Sequence, residues 1–261
     1  KDYNQKLLGF SGQVGYLPIP IETSALAKSG GCLKNADVDQ TIHIGWLSRL
    51  DTWKTRVLFR LLDDVDAYRR MHGSGSLHVH IIGDGPKQNE VQARCTGVNT
   101  SVVGRLEDSA LSEYMLDHLH VGFAMGTSAL EFAVRGVPAV LTPSGLSHDN
   151  SKKEKTYRWL FDSQGYDVAA EELTKPLGLQ SFSDVVQRIR SSSVTYLGDR
   201  CQNYAVENHG IDNVGTLLAE YLSQCTLTYG DLVQSGIFEC TPYERLLFGF
   251  KQTYKQLAQH L

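Results

Sequence analysis

The stretch HVGFAMGTSALEFAVRGVPAVLTP, residues 120–143, reads as strand, turn, helix and strand in succession. The apolar run 121–125 predicts a buried strand, Gly126-Thr127-Ser128 a tight turn, and 129–134 the start of a short helix. Gly136 stops that helix, and Pro138 leads into a second apolar run over 139–141. The product is a βαβ unit whose helix N-terminus faces the carboxyl end of a parallel sheet. Ligands of open parallel sheets bind at that rim. The unpaired N–H groups and positive dipole end of the helix favour an anion there, and Glu131 follows one turn in. The backbone of Gly126, Thr127 and Ser128 suits a diphosphate, and the Glu131 carboxylate suits both hydroxyls of a ribose. Ser128-x-x-Glu131 is also a capping box, in which the two side chains serve only the helix's own N–H groups. From this stretch alone the two readings are evenly matched.

Upstream, the same alternation repeats. Residues 42–47 (IHIGWL) form an apolar run, and Asp51 is a suitable N-cap for a helix over 52–71, which carries Val57, Leu58, Leu61, Leu62 and Val65 at helical spacing. Gly73-Ser74-Gly75-Ser76 ends it; 77–82 (LHVHII) is the next strand and closes on Gly83-Asp84-Gly85-Pro86. A helix is expected over 87–95, a short strand over 100–103 ending at Gly104-Arg105, and a helix capped by Asp108 or Ser109 reaching Asp117. Strand-like and helix-like runs alternating in this way describe a doubly wound parallel α/β sheet of Rossmann-like type.

Beyond the organising unit the pattern loosens. Residues 144–158 are polar and Lys-rich (Lys152, Lys153, Lys155), a solvated loop that could close over a ligand. Residues 159–166 are expected to pack back on the domain, 182–191 to form a helix, and 198–224 a helix pair around His209-Gly210. The segment 14–21 (VGYLPIPI), broken by Pro18 and Pro20, suits an extended connector or edge strand. The tail from 226 ends in YERLLFGFKQTYKQLAQHL, an amphipathic helix in need of a partner surface. The domain plan is thus a connector over 1–40, one α/β domain over 41–225, and a terminal helix over 226–261.

Composition narrows the function classes. With 41% hydrophobic and 21% charged residues and a net charge of -4, the chain has neither the basic excess of a nucleic-acid-coating protein nor the bias of a disordered one. No apolar run approaches the roughly 18 residues of a membrane span. Its 5 cysteines are irregularly spaced without metal-ligand motifs, which points to a reducing compartment, the cytoplasm or the cytoplasmic face of a membrane. The histidines carry little: His78 and His80 alternate on one strand without the further ligands a metal needs, and His118, His120 and His209 read as structural. The chain opens at Lys1 in mid-pattern, as a piece of a longer polypeptide would.

Two cations follow the first strand, Arg49 and Lys54. Taken singly, each reads as a solvated surface charge; together, strand order in a doubly wound sheet would bring them to the rim of Gly126, where a forked guanidinium and a point ammonium suit a diphosphate. Gly104-Arg105 ends another strand on that rim, where its backbone can meet a base edge or simply form an ordinary βα loop.

SRLDTWK, LHVHIIGDGP, VNTSVVGRL and GTSALEFAVRGVPAVL, in this order, resemble the C-terminal half of GT-B glycosyltransferases, most closely the large nucleotide-sugar-dependent family called family 4. The resemblance covers residues 41–225, including YAVENHGIDNVGTLLAEYL. It implies that Arg49 and Lys54 serve catalysis by contacting the donor diphosphate. It further implies that Gly104 and Arg105 lie by the nucleobase, that Gly126, Thr127 and Ser128 hold phosphate through N–H groups, and that Glu131 binds the ribose. It implies no metal and no other cofactor. The implied partners are a nucleotide-diphosphate sugar (UDP- or GDP-linked), a carbohydrate, glycolipid or glycoprotein acceptor, and an N-terminal GT-B domain.

The chain departs from that pattern in two places. Eight positions before Glu131, where the family carries a first glutamate near the donor sugar, stands Phe123; and Ser48 replaces the glycine before the motif arginine. The alternative is therefore a non-catalytic GT-B-like binding or scaffolding module. An NAD-dependent enzyme would want G-x-G-x-x-G opening a helix after a strand, whereas Gly73-Ser74-Gly75 precedes a strand. A nucleotide-sugar epimerase would need acid and base groups at the rim that the sequence does not supply.

Overall fold

The computed structural model describes residues 16–23, 41–96, 99–142, 157–163, 167–169, 178–226 and 228–234. Residues 144–156 of the Lys-rich loop, most of the 1–40 connector and the tail helix after 243 lie outside these. The chain divides into two compact units, Lys1–Leu217 and Leu218–Leu261.

Alternating apolar runs and capped helices build the first unit: β1 (Ile42–Leu47), α1 (Thr52–His72), β2 (Leu77–Ile82), α2 (Gln88–Arg94), β3 (Thr100–Gly104), α3 (Asp108–His118), β4 (Val121–Ala124), α4 (Thr127–Val134) and β5 (Ala139–Leu141). β6 (Arg158–Trp159), α5 (Phe182–Ser191), α6 (Val194–His209) and α7 (Ile211–Gln224) follow, and α8 (Tyr229–Gln234) belongs to the second unit. The sheet is six-stranded, in the order β3-β2-β1-β4-β5-β6. β1 to β5 run parallel, and β6 adds an antiparallel edge that the sequence pattern did not announce. The strand order runs outward both ways from β1, through β2 and β3 on one side and β4 and β5 on the other, which is the doubly wound α/β arrangement expected.

The local reasons are plain. Asp51 caps α1, its Oδ1 accepting from the Lys54 amide at 2.9 Å, and Ser181 with Asp184 forms a reciprocal capping box on α5. α3 differs from expectation. Its N-cap is Glu107, which makes no side-chain bond, and Asp108 is counted as its first residue, at φ 47°. α4 also starts earlier than its apolar run, at Thr127, so only Met125 and Gly126 separate it from β4.

How α4 meets the sheet sets the position of the rim. Gly45 and Gly122 are register partners on β1 and β4, and a Cβ on either would overlap the Phe132 ring or the Leu119 side chain. The paired glycines open a hollow that Phe132 fills, drawing α4 onto the strands. On its outer side α4 is held by α6: Gln202 donates to the Val134 carbonyl at 2.9 Å, and Gly198 lets α6 approach the carbonyl of Gly136. Within 16–23, Ile21 makes a single parallel bridge to Gly210, and the buried His209 ring bonds the Ile19 carbonyl at 3.0 Å. Among the described residues no helix is long and apolar enough to cross a membrane.

Candidate functional site

Three βα loops are stitched together at the carboxyl end of the sheet by their backbones. Ser48 donates to Ile82 O at 3.1 Å, Leu50 to Asp84 O at 2.7 Å, Lys87 to Leu50 O at 2.9 Å, and Gly83 to Gly104 O at 2.7 Å. Gly83 sits at φ 134°, and a Cβ there would collide with the Ser48 carbonyl, so the turn 83–86 is a wall fitted to its neighbour. Ser48 also has a task of its own: its buried hydroxyl accepts from the Trp46 indole N–H at 2.7 Å. That bond satisfies a donor a glycine would leave stranded.

These loops and the start of α4 enclose a cleft of about 470 Å³, lined by Ser48, Arg49, Asp84, Arg105 and Ser128 among others. The Arg49 side chain is exposed there, and Arg105 is exposed and ion-paired with Glu107. At its edge, Gly126 is the N-cap of α4 at φ 62°, ψ -140°, a conformation open to glycine, and nothing lies within 4 Å of where its Cβ would stand. The Gly126 amide donates to Val168 O at 2.6 Å. It is therefore not available to phosphate, which corrects one third of the expected backbone cradle. Thr127 and Ser128 keep the first helical amides, which have no acceptor one turn back.

No side chain caps α4. Helix entry at Gly126 moves Ser128 and Glu131 inside the helix, so the capping-box reading of the pair fails. Glu131 instead pairs with Arg135, one turn further on. Of the other expected site residues, Gly104 ends β3 at φ 87° with open space where a Cβ would point. Lys54 stands half-buried in the first turn of α1 and is absent from the described lining of the cleft. The structure thus brings Arg49, Arg105 and Ser128 together, keeps Gly104, Gly126 and Thr127 at the margin, and leaves Lys54 and Glu131 outside the lining.

Phe123 is fully buried. Its ring packs against Tyr157 at 5.3 Å and Phe182 at 5.7 Å between centroids, and Tyr157 donates to Asp64 Oδ2 at 2.5 Å. Burial, then the Asp64 charge, push the Tyr157 phenol well above its usual range and keep it a donor. With two residues between β4 and α4, no loop remains to carry a carboxylate over the cleft from this position.

The segment that takes the Gly126 amide escaped the sequence reading. Val168 follows Asp167, whose carboxylate pairs with the buried Arg158 of β6 at 3.0 Å and accepts the Ala169 amide at 2.9 Å. Arg158 falls in the stretch 144–158 expected to be a solvated loop; its burial in an edge strand, with Tyr157 before it, corrects that expectation at the loop's end.

The same strands gather histidines at their other end. The His43 amide donates to His120 Nδ1 at 3.0 Å, His43 Nδ1 meets His80 Nε2 at 2.8 Å, and His80 Nδ1 meets the Tyr114 hydroxyl at 2.8 Å. Burial first, and then neighbouring rings, hold His80 down to about 3; burial, then His43, holds His120 down to about 4. His43 is lowered by burial, His78 and His118, and His78 by burial and the Arg69 charge.

No family model matches the sequence, and no curated protein matches it. Solved structures do. The lipopolysaccharide outer core galactosyltransferase WaaB, in its apo form, matches with TM-score 0.50 and 14% identity over 85% of this chain and 59% of that one. HepE from Anabaena, in complex with UDP and glucose, gives 0.48 and 12% over 79% and 55%. Trehalose-6-phosphate synthase gives 0.49 and 15% over 80% and 52%. The chain spans somewhat more than half the length of these proteins. The likeness to the galactosyltransferase is one of fold, and that fold is the doubly wound half of a GT-B architecture.

Proposed function

We propose that this chain is the donor-binding half of a glycosyltransferase of hexosyltransferase type, taking a UDP- or GDP-linked sugar. An N-terminal GT-B domain would present the carbohydrate, glycolipid or glycoprotein acceptor. The observation that carries this is the convergence of Arg49, Arg105 and Ser128 on one cleft beside the N-terminus of α4.

In this proposal the Arg49 guanidinium and the amides of Thr127 and Ser128 meet the diphosphate. They stabilise the negative charge that grows on it as the glycosidic bond breaks, through groups already oriented before reaction. Lys54 adds a more distant positive charge from α1. Gly104 and Arg105 lie toward the nucleobase, and Glu131 accepts the ribose hydroxyls. The cation and helix tip carry the developing charge, and no metal or other cofactor is proposed.

Isothermal titration of the 261-residue chain with UDP and GDP tests this. One of them should bind, with Glu131→Gln weakening it about tenfold, the cost of a hydrogen bond to a charged group. Binding of neither nucleotide overturns the proposal.

A second reading, a module that binds a donor without transferring it, is favoured by the buried Phe123 at the position of the family's first glutamate. Donor turnover by the longer protein separates the two. Donor bound but neither transferred nor hydrolysed supports the module.

A further inference from the structure

We propose that Arg135 is a positioning residue, which fixes the Glu131 carboxylate for the ribose and ties it to the loop on the nucleobase side. This rests on the proposed role of Glu131. Arg135 is the C-cap residue of α4, and its side chain is only 12% exposed. One guanidinium nitrogen bonds both the Glu131 carbonyl, at 3.0 Å, and the Glu131 carboxylate. Its Nε donates to Ser112 Oγ on α3 at 2.8 Å. Ser112 in turn donates to the Asp108 carbonyl at 3.0 Å. Asp108 opens α3, three residues after Arg105 of the cleft lining.

An exposed ion pair one helical turn apart holds neither partner still. This pair is different, because the planar fork of Arg135 is anchored at two further oxygens, the Glu131 carbonyl and Ser112 Oγ on a second helix, and cannot follow a wandering carboxylate. The bond engages Glu131 Oε2. A carboxylate has about four lone-pair sites, so Oε1 stays able to accept hydroxyl protons. Glu131 itself is 37% exposed and accessible to a ligand. The line Glu131–Arg135–Ser112–Asp108 therefore connects the group for the sugar ring to the start of the helix behind loop 104–107. Removing Arg135 would return to Glu131 a rotamer freedom that ribose binding must then suppress, weakening recognition of the hydroxyls about fivefold.

The experiment compares UDP and GDP with their 2′,3′-dideoxy forms by isothermal titration against the full 261-residue chain. Wild type should prefer the nucleotide with hydroxyls, and Glu131→Gln should erase that preference. Arg135→Met should cut the preference about fivefold while leaving the dideoxy affinity unchanged. Arg135→Lys, which can still reach the carboxylate, should restore part of it. A merely structural arginine would instead lower both affinities together, and that result overturns the proposal, as does an undiminished preference in Arg135→Met. Should Arg135→Met not fold, Ser112→Ala decides, with about a twofold loss of preference expected and an unchanged one contradicting the inference. If Glu131→Gln keeps the preference, or wild type has none, the ribose role fails first and the Arg135 proposal falls with it.

Discussion

The two ends of the parallel strands have opposite chemistry. At the carboxyl end, glycines at positive φ, an exposed arginine and the tip of α4 leave a cleft open. At the amino end of β1, β2 and β4, His43, His78, His80 and His120 bond and stack on one another, with Tyr114 and His118 of α3 beside them. One end leaves its polar groups exposed in a cleft; at the other they bond one another. Side chains at the first should therefore govern binding with little cost in stability, and those at the second the reverse.

The most severe way to test that division is Phe123→Glu. A carboxylate there puts an unpaired charge in the aromatic cluster around Phe123, and should cost about 4 kcal/mol of stability without adding turnover. Urea unfolding measures it, and a stable variant with gained activity would mean that Phe123 faces the cleft. Gly83→Ala comes next, at about 3 kcal/mol, because strain at φ 134° and the Ser48 carbonyl oppose it together. Nucleotide binding should disappear with it, as the wall of the cleft is displaced.

Arg49→Ala belongs to the opposite category. It should weaken the diphosphate about thirtyfold, the worth of a charge-assisted bond of about 2 kcal/mol, with the melting midpoint unmoved. Lys54→Ala, outside the described lining, should weaken it less than about threefold. Equal losses for the two would show that the cleft extends to α1.

A separate effect is one of pH. His120 Nδ1 accepts a main-chain N–H, which only the neutral ring can do. The groups facing the cluster are Arg69, Ser101, Tyr114 and His118, with no carboxylate among these described neighbours to favour a charged ring. Folded histidines held below 6.5 bind fewer protons than unfolded ones. Their contribution to stability is therefore complete above pH 6.5 and is lost as pH falls toward about 4 and then about 3. The urea midpoint should decline across that window, and His120→Asn should flatten the decline. An identical slope in that variant would remove His120 from the account.

Sequence alone located β1, β2 and β5 residue for residue, the Asp51 cap and α5. It could do so because strand and helix periods, caps and glycine turns are written in neighbouring residues. Five matters were decided only by the tertiary structure: Ser48 answering Trp46, Val168 taking the Gly126 amide, Arg135 gripping Glu131, Lys54 standing apart from the cleft, and His43 joining His80. Of these, Gly126 with Val168 and His43 with His80 join groups far apart in sequence, which the fold alone brings close. The hollow at Gly45 and Gly122 that seats Phe132 exists only once β1 and β4 lie side by side. Local pattern specifies which elements form, but the partner of a polar group depends on which elements become neighbours.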